Sequence, residues 1–303
     1  MKVDPASLLV AGPWEHQFVS ANGSRFHVAT AGDDDADLVL LLHSFPQTWY
    51  AWREQIPALA AAGWRVAAMD LRGFGSSDKP PRGHDTRSLV ADVSGVIRSL
   101  GASNAVVIGH GYGGQVAWAM PAFAPTVTRA IGVVSAPHPR ALRRPGTVPW
   151  HTLRSLAYAQ LPSAPERRLR REWVRQLVRG WAAPGWTPDP RALDLYVNAM
   201  RQPAAAHHVL EQARWQVRST RRPSGQAVVS ALGDPVPVPV LSLHGEADRC
   251  LPPSTRDGDA DYVAESLTAS VIAGAGHWLP EEASEAVTEA ILAFLASLPT
   301  DED

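Results

Sequence analysis

Val106-Val107-Ile108-Gly109-His110-Gly111-Tyr112-Gly113-Gly114 is the stretch that decides the fold. A short, unbroken apolar run is the pattern of a strand buried on both faces. It ends on a glycine-rich turn, and helical spacing follows from about Gln115. Residues 38–43 and 64–70 repeat the apolar run, with helical stretches at 52–62 and 87–100, and 128–135 reads as a further strand. Alternating β and α segments predict a mostly parallel, doubly wound α/β sheet with helices on both faces. Upstream, residues 16–20 and 25–30 flank Asn22-Gly23, a hairpin turn signal.

The alternation stops after Pro137. From there to about Gly233 the pattern is helical throughout, with Leu169, Trp173 and Leu177 on one stripe beside Val174 and Val178. Strand signals resume at 238–244 and 270–273, and an amphipathic helix closes the chain over 282–298. The expected organisation is a sheet core over 1–136 and 234–303, interrupted by a helical cap over 137–233.

Composition bounds the function. The 303 residues can bury a full core, and 45% hydrophobic with 19% charged residues is an ordinary globular balance. The single cysteine, Cys250, rules out an internal disulfide and a cysteine-based zinc site, so no metal or cofactor is expected. The N-terminus lacks a signal-peptide core and no run is long enough to span a bilayer, which reads as cytoplasmic. The net charge of −2 conceals about +11 between Arg140 and Arg222 against about −13 elsewhere. A basic amphipathic helix can lie on a membrane surface. With its apolar stripe, the segment bearing Arg167, Arg168, Arg171, Arg175 and Arg179 reads instead as a cap helix burying one face. The expected partner is a small-molecule substrate or ligand, not nucleic acid; oligomeric state is not readable.

Three clusters follow strands, at the sheet edge where open parallel sheets hold ligands. They are His43-Ser44-Phe45-Pro46, the Gly109 to Gly114 turn, and the pair His244-Gly245-Glu246-Ala247-Asp248 with Gly274-Ala275-Gly276-His277. Their order and spacing resemble the α/β-hydrolase superfamily, and within it the epoxide hydrolase and haloalkane dehalogenase branch, through nearly the whole chain. His43-Ser44-Phe45-Pro46 is similar to that branch's His-Gly-x-Pro oxyanion loop. Asp70-Leu71-Arg72-Gly73-Phe74-Gly75-Ser76-Ser77-Asp78-Lys79-Pro80 and Ser135-Ala136-Pro137-His138-Pro139 match the segments after the next strand and at the cap entry.

The resemblance implies a nucleophile on a strained turn, Gly-x-Ser/Asp-x-Gly, with an acid and a histidine later in the chain. It places the acid at Asp248, the histidine at His277, and the oxyanion donors on the backbone N–H groups of Phe45 and Tyr112. Asp248 would orient the imidazole and leave Nε2 to take a proton. His43 and His110 are expected to fix their loops, and Asp70 and Asp78 to be structural. The nucleophile position, however, is Gly111, which has no side chain to attack with, so a covalent intermediate there is excluded. Ser44 stands where glycine is usual, and its hydroxyl is a candidate displaced nucleophile. Ser135 lies on a neighbouring strand end. The two ring-opening cap tyrosines of epoxide hydrolases are missing: the first falls at Ser155 and the second near Trp215. His110, Ser135, Tyr158, Tyr196, Trp215 and Trp278 remain as substrate-pocket candidates, and Trp173, Trp181, Trp186 and Trp215 suggest either an aromatic lid or core packing. Two functions follow: a hydrolase using water activated by His277 and Asp248 on a small apolar or amphipathic substrate, or a non-catalytic pseudoenzyme on the same fold.

Overall fold

A computed structural model describes residues 4–299. Eight strands form one sheet: β1 (Glu15–Ala21), β2 (Ser24–Ala31), β3 (Leu38–Leu42), β4 (Arg65–Met69), β5 (Ala105–His110), β6 (Thr128–Val134), β7 (Val240–Gly245) and β8 (Leu267–Ile272). Their order is β1-β2-β4-β3-β5-β6-β7-β8; the β1–β2 and β2–β4 pairings are antiparallel and all others parallel. The hairpin forms where Asn22-Gly23 predicts it, with both residues at positive φ (44° and 71°). The unbroken apolar runs become the central strands, and β3, β5 and β7 are buried at every residue. At the edge, β8 is largely exposed and begins at Leu267, three residues before the sequence signal. With one face and one edge in water, it carries mixed polar residues that hide its start.

The core helices are α1 (Gln55–Ala61), α2 (Thr86–Ser99) and α3 (Tyr112–Phe123). α3 starts a turn earlier than the pattern predicts, because Gly113-Gly114 in its first turn are poor helix formers. Close packing requires them: a Cβ on Gly113 would come within 2.7 Å of Leu42, and one on Gly114 would run into Ala136. Between β6 and β7 lie α4 (Trp150–Ala159), α5 (Ala164–Arg168), a single π turn (Leu169–Trp173), α6 (Val174–Trp181), α7 (Pro190–Arg201), α8 (Ala205–Arg218) and α9 (Pro223–Ala231). Leu169, Trp173, Val174, Leu177 and Val178 are buried, while Arg167, Arg168, Arg171 and Arg179 face solvent. The apolar stripe is therefore a packing face. Among the described residues, no helix is long and apolar enough to cross a membrane. The expected closing helix over 282–298 forms as α11 (Ser284–Ala296), preceded by a short α10 (Leu279–Glu282) from which Ala283, outside helical geometry (φ −139°, ψ 49°), separates it.

Candidate active site

The loops after β7 and β8 bring Asp248 and His277 together. Asp248 Oδ1 accepts the Cys250 and Leu251 N–H groups at 2.7 and 2.9 Å. Its Oδ2 lies 2.8 Å from His277 Nδ1 and 3.3 Å from His244 Nε2. Burial opposes ionisation of this carboxyl, but His277 and His244 outweigh it and hold Asp248 well below the usual carboxylate range. An ionised acceptor fixes the proton of a neutral His277 on Nδ1 and leaves Nε2 as the basic atom.

The imidazole is anchored through its backbone. The His277 N–H donates to Trp181 O at 3.1 Å, at the end of α6. Glu282 takes three N–H groups around it: Ala183 in the cap, Gly276 and Trp278, each at 2.8 Å. His110 Nε2 lies 2.7 Å from the His277 carbonyl and its Nδ1 lies 2.9 Å from Gln47 Oε1; the single proton of a neutral ring donates to one of the two. Burial, then repulsion from His277, pushes His110 down to about 3, so it stays neutral. Gln47 continues to Glu281 at 2.6 Å, which also binds Arg53 Nη1 at 2.6 Å and the Tyr196 hydroxyl at 3.1 Å. A buried polar chain thus runs from cap helix α7 to the back of the histidine loop.

The opposite wall is the turn between β5 and α3. Gly111 has φ 47° and ψ −106°, a region that side-chain-bearing residues rarely enter. Its N–H donates to Val134 O at 2.8 Å. A Cβ built on Gly111 would be 3.4 Å from His277 Nε2 and 2.9 Å from Ser44 Cβ, and would overlap the Ser44 hydroxyl. That space therefore holds Ser44 Oγ, which accepts the Tyr112 N–H at 3.2 Å and contacts Phe45 O at 3.4 Å. Ser44 itself is 3% exposed. The loop beneath is fixed by His43: its Nε2 accepts the Leu71 N–H at 3.1 Å, which leaves Nδ1 to donate to Ser44 O at 2.9 Å. Asp70 is buried below, taking the Trp49 and Ser76 N–H groups and His27 Nδ1, and despite burial these and His43 hold it at about 2. Asp78 accepts the Arg25 N–H at 2.8 Å.

Not every pocket candidate faces this space. Tyr196 is 1% exposed with its hydroxyl on Glu281, and Trp278 is fully buried, donating to Val178 O and stacked on Trp181. Both are joints between cap and core, a correction to their expected place in the pocket. The sequence could not separate the two, because an aromatic ring serves an apolar joint and a pocket wall equally well. Tyr158 packs edge-on against Trp173 at 5.1 Å, and Trp186 and Trp215 are half-buried against the core. Ser135 is fully buried at φ 49° with no partner on its hydroxyl among the described residues. A cavity of about 440 Å³ lies elsewhere, lined by Phe18, Arg25, Ser76 and Lys79 among others and not by His277 or Asp248. Glu281, Glu282 and Gln47 were not legible in the sequence, since two adjacent glutamates after Pro280 read as the polar start of a surface helix. The groups that converge are a buried acid, an oriented imidazole with a free Nε2, and a hydroxyl on a helix-start N–H.

With that geometry in place, comparison with known proteins is direct. Residues 37–284 match the family model for the alpha/beta hydrolase fold. Epoxide hydrolase A of Mycobacterium tuberculosis is 31% identical over 321 aligned positions, covering 93% of this chain and 97% of its own. The AB hydrolase superfamily protein YfhM of Bacillus subtilis is 33% identical, covering 92% and 97%. Among solved structures, an epoxide hydrolase from an endophytic Streptomyces superposes with a TM-score of 0.80 at 27% identity, covering 95% of this chain and 97% of that one. The chain belongs to the α/β-hydrolase-fold family, and its relatives there include epoxide hydrolases.

Proposed function

We propose that this protein is a hydrolase of small apolar or amphipathic substrates in which His277, oriented by Asp248, activates water without any nucleophile at Gly111. The carrying observation is the 2.8 Å Asp248–His277 pair with Nε2 turned toward the side-chain-free turn. Water at Nε2 would lose a proton as its oxygen attacks, and Asp248 would stabilise the imidazolium. The Phe45 and Tyr112 N–H groups would face the developing negative charge, with Ser44 Oγ now standing on the latter. Relatives named epoxide hydrolases support hydrolysis as the reaction type. The test is turnover of a panel of epoxides, haloalkanes and esters by wild-type and His277→Ala protein. Loss of general-base action should lower kcat by about 10²–10⁴, and an unchanged rate on every substrate would refute the reading.

A further inference from the structure

We propose that Ser44 is the nucleophile of an acyl-transfer activity, so that the substrate class of this site is the carboxylic ester. The inference rests on the reading of His277 as a general base.

Four observations point the same way. The Ser44 hydroxyl fills the space a side chain on Gly111 would take, and His277 Nε2 borders that space. A side chain from the neighbouring strand end thus occupies the space in front of the turn. Ser44 is almost fully buried and its loop is pinned by the Leu71–His43–Ser44 hydrogen bonds, so the hydroxyl is held against the turn. Its oxygen accepts the N–H of Tyr112, the first residue of α3, where unpaired helix N–H groups concentrate positive charge. That position stabilises negative charge developing on Oγ. Finally, the Ser44 proton has only a long 3.4 Å contact to Phe45 O, so it is free to turn toward Nε2.

The chemistry then selects the substrate. Attack of a serine oxygen on an epoxide or haloalkane carbon gives an ether, which water cannot cleave under these conditions, and the protein would be inactivated after one event. Attack on an ester carbonyl gives an acyl-serine that water can hydrolyse. Ser44 Oγ forms the bond to the acyl carbon while its proton passes to His277 Nε2. The carbon–oxygen bond to the leaving group breaks, and the alcohol departs with that proton. Water then adds to the acyl carbon, giving one proton to Nε2. The acid leaves as the Ser44–acyl bond breaks and the proton returns to Oγ. As charge passes from Oγ to the carbonyl oxygen, the Tyr112 N–H would leave Oγ for that oxygen and hold it through both additions. Ring opening of an epoxide needs instead an acid on the far side of the attacked carbon, and Tyr196 spends its hydroxyl on Glu281.

The test combines a fluorophosphonate probe, located by intact mass and peptide mapping, with turnover of p-nitrophenyl butyrate. Wild-type protein, Ser44→Ala, Ser44→Gly and His277→Ala are compared after checking that each melts cooperatively. Expected is one probe per chain on Ser44, no labelling of either Ser44 variant, labelling slowed at least about a hundredfold in His277→Ala, and ester kcat down by a similar factor in both Ser44 variants. Ser44→Gly removes the hydroxyl independently, so a folding defect in Ser44→Ala alone does not block the result. Labelling elsewhere, or no labelling of the wild type, overturns the proposal. So does ester turnover that persists in the Ser44 variants; if it still depends on His277, water activation stands and only the serine falls. Turnover indifferent to His277 removes both.

Discussion

The two walls of the site are built differently. On one side, Asp248 and His277 are held by hydrogen bonds from the loops around them and from the helical segment between β6 and β7, and Asp248 has contacts on both oxygens. On the other, the turn after β5 keeps the backbone of a strained junction but carries no side chain, and a residue from β3's end leans in to fill it. The base wall holds a full acid–base pair; the turn wall holds a strained backbone and takes its hydroxyl from Ser44. Backbone geometry of this kind depends on packing against Leu42, Ala136 and Val134, none of which needs a side chain at position 111. Architecture and chemistry at one site can therefore change independently.

The largest effect should come from the base wall. Asp248→Asn keeps an oxygen for the Cys250 and Leu251 N–H groups but can present an amide donor to His277 Nδ1. The imidazole then places its proton on Nε2 and stops being a base. We expect kcat to fall by about 10³–10⁴, as tautomer reversal does in related triads. The same carboxylate has a pH signature. Its folded pKa lies below the unfolded value, so it stabilises the fold above about pH 4 and that contribution is lost as pH falls toward the folded value. Urea melts from pH 7 down to 3 should show a steep acid limb in wild type and a flatter one in the variant. Equal slopes would mean the base wall is less tightly built than its contacts imply.

The turn wall should respond through sterics. Gly111→Ala places a methyl against Ser44 at a backbone geometry that disfavours any Cβ, and should cost about 2–3 kcal/mol. Ser44→Gly removes the overlap but not the backbone strain, so the double variant should recover about 1 kcal/mol of coupling in a double-mutant cycle. If the two losses simply add in urea unfolding, positions 44 and 111 do not share one space. The contrast between the walls would then lose its physical basis.

Much of this was legible beforehand, and for identifiable reasons. Strands buried on both faces announce themselves as unbroken apolar runs, so β3, β4, β5, β6 and β7 stand within a residue or two of their predicted positions. The edge strand β8 and the first turn of α3 were blurred, one by solvent exposure and the other by Gly113-Gly114. Asp248 and His277 could be singled out because each follows a strand at the sheet's ligand edge. The direction of the Ser44 hydroxyl could not, since it depends on how far apart two strand ends sit. Nor could the Glu281–Arg53–Tyr196 network, whose members are scattered along the chain and carry no periodic signal.

A second buried carboxylate after β7 shows what the partners of Asp248 achieve. Asp259 accepts the His138 N–H on Oδ1 at 2.7 Å, but its Oδ2 has no partner among the described residues. Burial raises its pKa to about 6, with His138 and Arg256 only partly offsetting that. The sign is opposite to that of Asp248. Below about pH 4 the carboxyl is protonated folded and unfolded, and costs nothing. As pH rises toward 6 the unfolded chain ionises freely while the folded one resists, so stability falls, and above 6 the full penalty stands. Asp259→Asn keeps the His138 contact through its carbonyl oxygen and removes the charge. It should stabilise the protein by about 1–2 kcal/mol at pH 7.5 and leave it unchanged near pH 4. Melts of both Asn variants at the two pH values put the comparison in one experiment. Asp248→Asn should lose stability at neutral pH where Asp259→Asn gains it, because one carboxylate is partnered on both oxygens and the other on one alone.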